Sequence, residues 1–131
     1  MQMKNNNGKK LILSPLRHTW ILDFDGTLVI HNRYKTGEDE FLPGAKEFLQ
    51  QIPSEDFIII LTAREKQAQQ KTEDFLKKHH IRYDALFFEM PMGERILIND
   101  NKPSGLSCAY ALTPERNQGF QNLQIVIDST L

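Results

Sequence analysis

Cysteine is nearly absent. The single Cys108 excludes an intramolecular disulfide and fits a reducing compartment. Its neighbours Ala109, Tyr110, Ala111 and Leu112 make it read as a core residue, not a reactive thiol. No apolar run approaches the roughly 20 residues of a membrane span, so no membrane partner is expected. An excess of one charge is lacking too: the formal net charge is −1, which favours neither nucleic acid nor an acidic membrane. Residues 1–10 are basic but have no apolar core or cleavage site of a signal peptide, and the cytoplasm is the expected location. They are expected to form a disordered tail. Repeats and linkers are missing as well, so residues 11–131 are expected to make one domain.

What is present is an alternation of strand-like and helix-like stretches. Leu11–Leu13 precedes Ser14-Pro15 and reads as an edge strand or a strap. His18–Asp23 is expected to be the first central strand, and Phe57–Leu61 the second, an apolar run rich in β-branched residues. Ala85–Phe88 and Arg95–Ile98 are expected as the third and fourth, with Ala109–Leu112 and Leu123–Ile127 as two more. Between them, apolar residues at Ala45, Phe48, Leu49 and Ile52 mark one face of a helix over 42–52 that Pro53 stops. A second helix is expected over 65–79, with Ala68, Thr72, Phe75, Leu76 and His79 on one side. Strands alternating with helices imply right-handed βαβ units and a mainly parallel sheet.

The most informative stretch is Asp23-Phe24-Asp25-Gly26-Thr27-Leu28-Val29, which closes the first central strand. Two carboxylates one residue apart cannot both be core residues, because a buried unpaired charge costs more than its packing returns. They belong at the carboxyl edge of the sheet, where open α/β sheets bind ligands. Gly26 lets the backbone turn away sharply. An acidic pair on a tight turn suits Mg²⁺, which takes oxygen ligands in a near-octahedral shell. An acidic strand-end turn, or a bare Asp-x-Asp metal site like that of sugar-nucleotide transferases, remains open at this point.

The stretch resembles the first motif of the haloacid dehalogenase-like superfamily of phosphotransferases, Asp-x-Asp-Gly-Thr-Leu/Val. The resemblance implies a Rossmann-like three-layer α/β sandwich and a Mg²⁺-dependent phosphatase. Asp23 would be the nucleophile that forms an aspartyl-phosphate, and Asp25 the general acid and then base. Asp23, Asp25 and Asp100, the last in Asn99-Asp100-Asn101-Lys102-Pro103, would hold the metal. Thr62, Ala63, Gly26 and Lys102 are the expected phosphate contacts. Thr62-Ala63-Arg64-Glu65 also fits a helix capping box. Arg64, Arg33 and Tyr34 are the expected substrate contacts, the last two from a polar flap over 30–38. The superfamily usually has a Lys or Arg near Phe88-Glu89-Met90-Pro91-Met92-Gly93, which carries none. Lys102, two residues after Asp100 on the loop leaving the same sheet edge, is expected to replace it; Arg95 is the alternative, but it starts an expected strand and would sit at the opposite edge.

Only 36 residues lie between Asp25 and Thr62, and 37 between Thr62 and Asp100, so neither gap holds a cap domain. The chain thus resembles the capless branch, with a site open to solvent or closed by a second copy in a homo-oligomer. The expected activity is hydrolysis of a small phosphorylated substrate such as a sugar phosphate. The alternative is a catalytically weak phosphate- and metal-binding module acting as a partner subunit.

Overall fold

The computed structural model describes residues 9–131. Of the expected tail, residues 1–8 lie outside the described residues, whereas Lys9 and Lys10 belong to a strand. The architecture is mixed α/β with parallel strands in two sheets, a small Rossmann-like arrangement. Strands β2 (Thr19–Asp23), β3 (Phe57–Leu61) and β4 (Ala85–Phe87) form one sheet in that order. Strands β1 (Lys9–Leu13) and β5 (Leu123–Ile127) pair in the other. The helices are α1 (Ala45–Gln51) and α2 (Gln69–Lys78), the latter entered through a 3₁₀ turn at Lys66–Ala68. No helix among the described residues is long and apolar enough to cross a membrane.

Side-chain alternation explains the layering. Ile58 and Ile60 of β3 share a face and are fully buried, and the register sets Trp20 and Leu22 of β2 beside them. Ala45 and Leu49 of α1 and Phe75 and Leu76 of α2 complete this core with Phe24, Leu28 and Val29. Both helices therefore cover the same face. The opposite face leaves Ile21, Phe57 and Phe87 exposed. The helix ends follow local chemistry: Gly44, at φ 78°, precedes α1, and extended Ile52 followed by Pro53 ends it. Lys77 and Lys78 stand in the last turn of α2, where cations suit the dipole.

Two expected strands do not form. Arg95–Ile98 joins no ladder, and Ile96, Leu97 and Ile98 are 78%, 58% and 91% exposed. β-Branched composition gives only a preference; a strand needs a neighbouring backbone, and this stretch has none beside it. Ala109–Leu112 is likewise irregular, and Cys108 next to it is only half-buried.

The chain after residue 112 returns to the core through a backbone latch at α1. Phe120 N–H donates to Pro43 O at 2.8 Å, and Gly119 has φ +82°. A Cβ at Gly119 would lie 2.5 Å from Pro43 O, so Gly119→Ala must both strain its backbone and push the loop off the helix. A loss of roughly 1–3 kcal/mol is expected for such a conformation, read as a lower urea midpoint; an unchanged midpoint would show that the latch is not tight.

Candidate active site

The parallel register sets Asp23 beside Leu61, and Phe24 N–H extends the ladder to Leu61 O at 3.0 Å. The exits of β2 and β3 thereby share one sheet edge, and the carboxylate pair meets Thr62 and Arg64 there. After Asp25 the chain turns tightly on itself. Leu28 N–H and Val29 N–H both donate to Phe24 O, and Gly26 N–H donates to Val29 O at 2.7 Å. Gly26 takes φ 85°, a conformation that other residues rarely adopt.

The two carboxylates have different surroundings. Asp23 is half-exposed; Thr27 Oγ1 donates to its Oδ2 at 2.9 Å, and Arg95 Nη1 donates to its Oδ1 at 3.2 Å. Asp25 is mostly buried. Its Oδ2 accepts from Thr62 Oγ1 at 2.7 Å, and its Oδ1 accepts from Arg64 Nε at 2.9 Å. Thr62 is fully buried and its hydroxyl also accepts from Arg64 N–H at 3.1 Å. That local turn replaces the expected capping box, because the helix begins later, past Glu65. Ala63 is exposed beside it.

Arg64 is not an open substrate contact. Its side chain is 1% exposed. Nη1 and Nη2 fork onto Asp39 at 2.9 and 2.7 Å, and Nη1 also donates to Thr72 Oγ1 at 2.8 Å. The guanidinium lies 3.8 Å from the Tyr34 ring centroid and 4.7 Å from that of Phe24. Burial lowers the pKa of Arg64, but hydrogen bonds to Asp39 and Asp25 more than reverse this and hold it above its ordinary value. Burial raises the pKa of Tyr34, with Arg64 opposing and Asp25 reinforcing, so the phenol stays neutral. Tyr34 therefore roofs Arg64, and Lys71 of α2 ties the flap down through Tyr34 O and Gly37 O at 2.7 and 2.8 Å. Arg33 points to the outer side of the flap, where it donates to Glu38 O and pairs with Glu40.

The cation at Asp23 is Arg95. Because Arg95–Ile98 forms no strand, the chain carries Arg95 to the carboxyl edge of β2 instead of the opposite edge. Lys102 stands on an exposed turn closed by Lys102 N–H to Leu106 O and Gly105 N–H to Lys102 O. The place where the resemblance expects a base does lie beside the site: Glu89 N–H donates to Arg64 O and Met90 N–H to Thr62 O. A second guanidinium, Arg116, packs against Gly26, with its Cγ 3.1 Å from where a Cβ would stand. Asn117 fixes that loop by donating N–H to Gly26 O and accepting from His31 N–H. Asp39, Thr72 and Arg95 carry no local signal of these roles: Asp39 lies in an acidic run, Thr72 within a helix and Arg95 before an apolar tripeptide.

The expected third metal ligand does not join the acidic pair. Asp100 lies on the exposed stretch after residue 90, and among the described residues no three His, Cys, Asp or Glu side chains converge. Arg95 instead supplies positive charge at Asp23.

No family model and no curated relative matches the chain. Among solved structures, it is similar to a chain of the Pnkp1/Rnl/Hen1 complex, at 27% identity and a TM-score of 0.49. The match covers 63% of this chain and 31% of that one, so the chain spans about a third of the length of that neighbour.

Proposed function

We propose that this protein is a phosphomonoester hydrolase of the haloacid dehalogenase-like kind, working through an aspartyl-phosphate at Asp23. The observation that carries the reading is the division of labour within the acidic pair. One carboxylate is half-open and flanked by a guanidinium; the other is mostly buried, with hydrogen bonds to both of its oxygens. A nucleophile must reach phosphorus, while a group that moves a proton must be held still.

In this reading an Asp23 oxygen attacks phosphorus, and the ester P–O bond breaks with its electron pair on the leaving alcohol oxygen. Asp25, which enters this step protonated, gives that oxygen its proton. A water then attacks the aspartyl-phosphate at phosphorus and passes its proton to Asp25, which frees inorganic phosphate and restores Asp23. Arg95 neutralises Asp23 at rest and turns to the phosphoryl oxygens as charge moves onto them, the kind of stabilisation such transfer depends on most. Ala63, exposed at this edge, borders the phosphate pocket, with Thr62 holding Asp25 beneath it and Arg116 beside Gly26.

The substrate we propose is a sugar phosphate or a related small phosphorylated metabolite. Mg²⁺ dependence belongs to the proposal: Asp23 and Asp25 would hold the ion, which would supply positive charge to the phosphoryl oxygens. The second reading is a phosphate-binding module without turnover, and the ion pair that occupies Asp23 favours it.

A panel of phosphomonoesters with Mg²⁺ and EDTA arms separates the two readings. Phosphate release that EDTA abolishes and Mg²⁺ restores is the expected result. Phosphate binding without release from any panel member would favour the binding module.

A further inference from the structure

We infer that Asp39 and Arg64 form a buried clamp that holds the Asp25 carboxylate, which makes both of them positioning residues for the chemistry at Asp23. As a statement about catalysis this rests on the phosphatase reading; as a statement about geometry it does not.

The clamp joins distant parts of the chain. Asp39 comes from the segment before α1, Arg64 from the exit of β3, Thr72 from α2, and Asp25 from the turn after β2. Asp25 is gripped at both oxygens: Oδ2 by the Thr62 hydroxyl, and Oδ1 by Arg64 Nε, with Nη2 only 2.8 Å from the same atom. Arg64 is gripped in turn from its far side. The two-pronged bond to Asp39 sets the plane of the guanidinium, Thr72 fixes one edge, and the Tyr34 ring caps its face. A Lys here could serve one carboxylate but not two in one plane.

Stability does not account for this arrangement. Taking a guanidinium and a carboxylate out of water is expensive, and apolar side chains of the same volume commonly stabilise a core as well or better. Apolar side chains cannot, however, fix a carboxylate oxygen in space. The Asp39 side chain is 0% exposed, so it cannot touch a substrate, and its route to Asp25 runs through the guanidinium. Its removal should therefore leave substrate binding alone and disturb the orientation of Asp25.

The test compares Asp39→Asn, which keeps shape and removes charge, with Asp56→Asn. Asp56 is equally buried but anchors His18 N–H and Trp20 Nε1 away from the site. In Asp39→Asn, kcat should fall roughly 10- to 100-fold, the scale of a misplaced reacting group, while KM stays within about twofold. Asp56→Asn should lower the melting temperature with kcat unchanged. The ¹³C resonance of the Asp25 side-chain carboxyl should move in Asp39→Asn and stay in Asp56→Asn. Should Asp39→Asn fail to fold, Arg64→Lys carries the same kinetic and spectroscopic expectations. Wild-type kcat in a folded clamp variant, or an unmoved Asp25 carboxyl signal, overturns the clamp. If the wild type hydrolyses nothing, the phosphatase reading falls and the carboxyl resonance alone decides the clamp.

Discussion

Asp23→Asn should abolish phosphate release, by at least about a thousandfold, because the amide has no electron pair suited to forming the covalent intermediate. The fold should hardly notice. Asp23 is 37% exposed in its side chain and its partners are Thr27 and the partly exposed Arg95. Asn keeps the size and still accepts from Thr27 Oγ1, and a solvent-exposed ion pair such as that with Arg95 contributes only about 0–1 kcal/mol. The decisive comparison is the rate of phosphate release against the melting curve of the same preparation. Loss of turnover with an unshifted melt assigns the nucleophile. More than a tenth of wild-type turnover would mean that the covalent bond forms elsewhere or not at all.

Arg64→Ala carries the largest expected loss of stability, about 3–5 kcal/mol, the cost of leaving a buried charge without its partner. Asp39, with no exposed side-chain surface, would then face an apolar space bounded by Phe24 and Tyr34. Urea denaturation should show a much lower midpoint. The double variant Arg64→Leu/Asp39→Leu should recover most of that loss, since no charge is then left stranded. Turnover should stay low in both. A double variant as unstable as Arg64→Ala would show that packing around the guanidinium, not the uncompensated charge, sets the cost.

The parts legible in the sequence were those with a short period or a compact motif. Ile58 and Ile60 announce β3 by composition, Thr72, Phe75 and Leu76 announce the buried face of α2, and Leu123–Ile127 reads as a strand before any partner is known. The acidic pair reads as a strand-end feature because two close charges have nowhere else to go. What stayed hidden depends on pairing across long stretches of chain. Arg64 reads as a substrate contact in the sequence, and its pairing with Asp39, 25 residues away, makes it a buried residue instead. Arg95 looks like the start of a strand, and its place at Asp23 follows from tertiary structure that Ile96-Leu97-Ile98 does not encode locally. Lys102 lies two residues from Asp100 in the sequence, but its backbone closes an exposed turn onto Gly105 and Leu106.

The pairing of β1 with β5 has a consequence for how the protein is made. Lys9 aligns with Leu123 and Leu13 with Ile127, so the first described strand emerges from the ribosome long before its partner is synthesised. Pairings of such sequence separation are slow to close, because the loop entropy comes due before any contact returns it. During translation, the three strands and two helices around Ile58 and Ile60 can assemble first, with Leu11, Ile12 and Leu13 left as an unpaired apolar edge. That edge stays open until β5 has left the exit tunnel.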